Sequence, residues 1–108
     1  MRKAIILGAL SIAIISTPAL AQDGEKLFRS KGCSACHQPA TKSVGPSLKE
    51  IAKAYAGKKS QLIKFLKGKA KPIVDPGKFM LMVPNLEVTK KMSDKELNIL
   101  ADYILSNK

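Results

Sequence analysis

The sequence predicts a small all-α domain, and three observations carry that prediction. Apolar residues recur at helical spacing in several separate stretches, most clearly Leu97, Leu100, Ala101, Ile104 and Leu105. Ser47 and Ser93 are each followed three residues later by a glutamate, the pattern of a capping box at a helix start. No stretch of useful length alternates apolar and polar residues as a half-buried strand would.

The chain opens with a segment that does not belong to this domain. Arg2 and Lys3 precede an almost unbroken apolar run over residues 4–15. Pro18 interrupts it, and Ala19-Leu20-Ala21 is a small-x-small site. That order reads as a secretory signal peptide over residues 1–21, cut after Ala21. The apolar run is short for a membrane span, which needs about 20 apolar residues. Gln22 would follow the cut, not the cysteine of a lipoprotein. Residues 22–108 then form one domain with no membrane anchor after cleavage.

The helices follow in order. The first is expected over residues 24–30, with Asp23 as N-cap, Leu27 and Phe28 as its apolar pair and Gly32 as its stop. The second is expected over residues 48–56. Its apolar face is Leu48, Ile51, Ala52 and Tyr55, and Gly57 sits where a left-handed residue ends a helix. A third follows Ser60 as N-cap, carries Leu62, Ile63, Phe65 and Leu66, and ends at Gly68. The stretch from Gly68 to Met92 contains Pro72, Pro76 and Pro84 and reads as a long loop. Long ordered loops in small domains are more often functional than idle. The last helix starts at the Ser93 cap, and Met92 and Leu97 have hydrophobic-staple spacing across it.

Charge narrows the partner class. Without Arg2 and Lys3 the chain keeps 17 basic residues against 8 acidic ones, a formal charge of +9. Arg29 is then the only arginine. Base readout and bidentate phosphate clamps favour arginine, and no aromatic platform or nucleic-acid motif is present. A lysine coat suits a salt-sensitive encounter with an acidic protein face.

Cys33-Ser34-Ala35-Cys36-His37 is the C-x-x-C-H signature of covalent haem attachment. Two thiols three positions apart can each reach one vinyl group of the same porphyrin. The histidine that follows is carried beneath the ring, where its imidazole can bind iron. A thioredoxin-like redox pair would need a βαβ context, and a structural zinc site would need four ligands. The chain has two cysteines and one histidine in all. The expected cofactor is therefore one covalent haem c, held through Cys33 and Cys36 with His37 as an axial iron ligand.

The second axial ligand decides the function. A methionine there raises the reduction potential and closes the iron to substrates. Beyond the leader the chain offers Met80, Met82 and Met92. Met92 is explained by its staple position. Met80 and Met82 both lie in the proline-rich stretch, where Pro84 would stiffen the backbone beside Met82. Chain logic alone leaves these two open.

The residues resemble the small bacterial class I cytochromes c, most closely the c-555 type, relatives of c-551 and c-552. The matching segments span residues 22–108. They include Lys31-Gly32-Cys33 through His37, Val44-Gly45-Pro46-Ser47-Leu48, Ala54-Tyr55-Ala56-Gly57-Lys58, residues 61–68, Ile73-Val74-Asp75-Pro76 and the final helix. The resemblance implies a class I cytochrome c fold, four to five short helices wrapped around one covalently bound haem, with the N- and C-terminal helices crossing. It implies that Gly24 and Phe28 meet the last helix near Tyr103. It implies that the Pro46 carbonyl accepts a hydrogen bond from His37 Nδ1, fixing the tautomer. Its methionine–x–proline pattern favours Met82 over Met80. Many relatives have Met-Pro at the ligand, whereas this chain has Met-Val-Pro.

The function implied is one-electron transfer in the bacterial periplasm, not enzymatic catalysis. Redox partner proteins with acidic docking faces are expected. Donors would be a quinol-oxidising complex or another dehydrogenase, and acceptors a terminal oxidase or another reductase. Lys42, Lys69, Lys71 and Lys78 flank the expected haem loops, and the protein is expected to act as a monomer. Two other classes differ in what they would need. A haem subunit of a larger respiratory complex would co-purify tightly with it. A peroxidase or gas sensor would need an open iron site and distal acid–base residues, and no second histidine exists to supply one.

Overall fold

The structure, a computed structural model, describes residues 19–108. Residues 1–18, with most of the expected leader, lie outside that range. In chain order the helices are α1 (Ala19–Ser30), α2 (Leu48–Ala54), α3 (Lys59–Leu66), α4 (Phe79–Thr89) and α5 (Asp94–Leu105). Two 3-10 turns, Cys33–Ala35 and Pro76–Lys78, complete the regular structure, with no strand among the described residues.

The longest apolar stripe makes α5 the hub. Leu97, Leu100, Ala101 and Ile104 are all buried on it, and α1, α2 and α3 each pack against it. Its start is fixed by the expected capping box. The Glu96 N–H donates to Ser93 Oγ at 3.1 Å, and the Ser93 N–H donates to the Glu96 carboxylate at 3.0 Å. Ser47 and Glu50 repeat the device at α2. Met92 and Leu97 both lie in the buried core, as a staple requires.

The terminal helices meet as expected. A Cβ on Gly24 would come within 3.1 Å of the Ile99 carbonyl and would collide with Tyr103 Cβ. Only glycine therefore allows α1 to lie this close to α5. Phe28 and Tyr103 fill the space beside it, ring centroids 5.5 Å apart and tilted by 54°.

Several boundaries differ from expectation. Asp23 lies inside α1 and does not cap it, because Ala19, Leu20 and Ala21 are good helix formers and carry the helix through that point. The second helix ends at Ala54, with Tyr55 as its C-cap, while Gly57 takes the expected left-handed φ of 71°. The third begins at Lys59 after Lys58, so Ser60 is inside it and caps nothing.

The largest departure is α4. Met80 and Met82 lie on a helix and not in a loop. Pro84 sits within that helix, where its missing N–H leaves the Met80 carbonyl without its usual partner. The segment Phe79–Thr89 is apolar on most sides, so no amphipathic rhythm announced it, and the proline read as a breaker.

Candidate functional site: an apolar cleft around the cysteine–histidine turn

Gly32, with φ 79°, ends α1 and swings the chain into the 3-10 turn at Cys33–Ala35. The Cys36 and His37 N–H groups both donate to the Cys33 carbonyl, at 3.2 and 3.1 Å. This tight turn brings Cys33, Cys36 and His37 to the wall of one cleft. Neither cysteine is in a disulfide.

His37 is held by its second nitrogen. Nδ1 lies 2.8 Å from the Pro46 carbonyl oxygen, which can only accept. Nδ1 therefore carries the proton, and Nε2 keeps a free lone pair for a metal. The loop that delivers Pro46 is itself pinned. Gly45 N–H donates to the Cys36 carbonyl at 2.9 Å, and Leu48 N–H to the Gln38 carbonyl at 2.8 Å. Ser47, the buried N-cap of α2, follows directly, so the helix start fixes the carbonyl beside it.

Gly45 is a functional position that sequence reading missed. A Cβ there would sit 2.7 Å from His37 Cε1 and 3.0 Å from Nδ1. The ring could not keep its place against any side chain. The signal was present in Val44-Gly45-Pro46, but only the folded loop says what the glycine must clear.

The methionines separate clearly. Met82 is half-buried and lines the cleft, whereas Met80 is 75% exposed and does not. Met92 is in the core, away from the cleft. Asn85, one turn beyond Met82, also lines the cleft, and its Nδ2 donates to the Lys31 carbonyl at 3.4 Å. That bond ties α4 to the cysteine turn, and nothing in the sequence marked it.

The rest of the lining is mostly apolar, with Leu48, Tyr55, Leu62 and Phe65 in its floor. Val44, Ile73 and Leu81 line its mouth and are exposed, so one side stays open. Lys78 stands at the cleft as well. Of the other lysines singled out above, Lys42 is engaged by Glu50 at 3.6 Å and Asp75 at 4.0 Å. Lys69 and Lys71 are exposed and make no ion pair among the described residues.

The chemistry of this donor set is specific. Burial, reinforced by the neighbouring Cys36, pushes the Cys33 thiol up to about 11. A redox or catalytic thiol needs the opposite shift, so Cys33 is poorly suited to attack in disulfide exchange. Among the described residues no group of three or more His, Cys, Asp or Glu could hold a metal ion alone. Two adjacent thiols, a lone-pair imidazole and a thioether around one apolar cleft instead fit a covalently tethered haem.

Comparison with known proteins agrees. The cytochrome c family model matches residues 21–108. The chain belongs to the cytochrome c family. It is 41% identical to cytochrome c-551 of Stutzerimonas stutzeri over the full length of both chains. It is 36% identical to cytochrome c-551 of Pseudomonas aeruginosa, covering 88% of this chain and 86% of that one. Cytochrome c-552 of Hydrogenobacter thermophilus is 35% identical, with 92% of this chain and 96% of that one covered. As a cytochrome c, the chain carries one covalently bound haem c with its iron. It is an electron-transfer protein and not an enzyme. The all-helical fold expected from the sequence is the class I arrangement of this family.

Proposed function

We propose that this cytochrome c is an exported one-electron carrier of the periplasm, whose haem iron is bound by His37 on one side and Met82 on the other. The observation that carries the reading is that His37 and Met82 line the same cleft while Met80 faces solvent. Cys33 and Cys36 would form the two thioether bonds and hold the porphyrin in one orientation. Pro46 keeps His37 in the tautomer that presents Nε2. Bound there, the haem supplies a one-electron Fe(III)/Fe(II) couple.

The protein's own part is to hold both ligands fixed, keep the cleft dry and leave one edge within reach of a partner. The apolar floor excludes water, and a thioether ligand in such a site favours the ferrous state. Val44, Ile73 and Leu81 at the mouth let a partner approach closely. Lys78 at the cleft, with Lys69 and Lys71 exposed on the segment that leads to Pro72 and Ile73, supplies positive charge suited to an acidic partner face. Donors would be a quinol-oxidising complex or another dehydrogenase, and acceptors a terminal oxidase or another reductase. Removal of residues 1–21 after Ala21 would release the carrier as a monomer. Among the described residues no helix is long and apolar enough to cross a membrane.

Carbon monoxide tests the reading. The ferrous holoprotein is expected to keep its visible bands unchanged under carbon monoxide, because Met82 occupies the sixth position. Ready binding would mean an open iron site and would replace the carrier by a ligand-binding haem protein.

A further inference from the structure

Helix α4 makes no broad contact with another helix, whereas α1, α2 and α3 close on α5, and it joins the core through Leu86, Phe79 and Met82. Its place over the cleft therefore depends on few groups. Its inward face runs Met82, Asn85, Leu86 and Thr89, at helical spacing. Leu86 and Thr89 are buried, whereas Met80, Leu81 and Val88 on other faces are exposed. Both ends of α4 reach α3. At the start, the Phe79 ring meets the Phe65 ring with centroids 6.0 Å apart. At the end, the contact is polar.

Thr89 is 1% exposed, and its Oγ1 lies 2.6 Å from the Leu66 carbonyl and 3.2 Å from that of Leu86. A hydroxyl has one proton, and the shorter, better contact takes it. Leu66 closes α3, so its carbonyl has no helical partner. The N–H groups of Lys67, Gly68 and Lys69 bond instead to Ile63, Phe65 and Lys64. Leu66 is itself buried. Without the Thr89 hydroxyl this acceptor would be unsatisfied and out of reach of water. The next residue, Lys90, lays the end of its flexible side chain over Gly68.

We propose that Thr89 is the positioning residue for Met82: its hydroxyl locks the end of α4 to the end of α3 and so fixes how Met82 meets the iron. The inference rests on Met82 as the axial ligand. Two helical turns separate the residues on one face, and Pro84 between them already forfeits one hydrogen bond of the helix. With the anchor gone, α4 can lift from the cleft and take the thioether with it.

The test uses ferric holoprotein titrated with imidazole, a small ligand that competes with methionine for iron. Loss of a satisfied buried carbonyl is expected to make Thr89→Val bind imidazole about tenfold more tightly than wild type. Thr89→Ser, which restores the hydroxyl, should return to the wild-type value. Amide exchange should quicken in α4 and stay unchanged in α5. If Thr89→Val gives no holoprotein, Thr89→Ala serves in its place. The inference fails if the valine or alanine variant titrates like wild type, even with a lower melting point. It fails too if an equally destabilised variant at Ala52 gains the same imidazole affinity, because the effect would then be global. Met82→Ala separates the two readings. If it leaves imidazole affinity unchanged, the ligand assignment is wrong; if it alone opens the site, only the Thr89 anchor is wrong.

Discussion

His37 shows how much one side chain depends on its neighbours. Its Nδ1 is committed to Pro46, and its Cε1 edge needs the empty space at Gly45. Gly45→Ala is expected to push the ring off Pro46 and to destabilise the holoprotein by about 1–3 kcal/mol, as overpacking does. A denaturant midpoint measured beside wild type checks it, and an unchanged midpoint would mean that the loop relaxes freely. That Cys33, Cys36 and His37 reach one cleft was legible in the sequence because one short turn carries all three, and a linear string preserves such local spacing. Met82 was not fully legible. Two methionines two positions apart look alike in a string, and only the rotation of α4 turns one inward and the other to solvent. Thr89 left no trace, since its partner is a backbone carbonyl 23 residues away.

Helix starts were read correctly where side chains make them. Ser47 and Ser93 form complete capping boxes, and Ser93→Ala should cost about 1 kcal/mol in chemical denaturation. Ser47→Ala should cost as much and also loosen Pro46 beside it, visible as a change in the His37 ring signals by NMR. Ser60 failed as a cap because the turn after Gly57 already starts the helix at Lys59, with no side-chain bond at all. The missed helix α4 has no cap and no polar face, so neither signal of a helix was available. The capping box at Ser47 also carries a pH dependence. The Ser47 backbone N–H, aided by Lys42, holds the Glu50 carboxyl below its ordinary value of 4.5. A lowered carboxylate stabilises the fold fully above that ordinary value and loses its contribution as pH falls through the lowered one. Glu50→Gln keeps the cap geometry without the charge. Its stability deficit should therefore be present at neutral pH and vanish in acid, and a deficit independent of pH would contradict the assignment.

Among the described residues, α1, α2 and α3 pack on α5, and one apolar cleft opens beside them. Helices α1 and α5 meet at Gly24 and Tyr103, a contact that the family resemblance implied and that no local pattern in the string announces. The surface is legible in kind, though not in arrangement. A formal charge of +9 over residues 22–108 is present in the string, but the engagement of Lys42 by Glu50 and Asp75 is not. Electron transfer to an acidic partner should slow steeply as ionic strength rises through the physiological range, where screening acts over about 8 Å. A flat salt profile in stopped-flow kinetics would remove lysine steering from the account. The central claim is that a methionine from α4 completes the iron's coordination, and the ferric absorption spectrum tests it most directly. The wild-type holoprotein should show the weak red charge-transfer band of an iron–methionine bond, Met80→Ala should keep it, and Met82→Ala should lose it. A band absent from wild type, or one that survives Met82→Ala, would contradict the account.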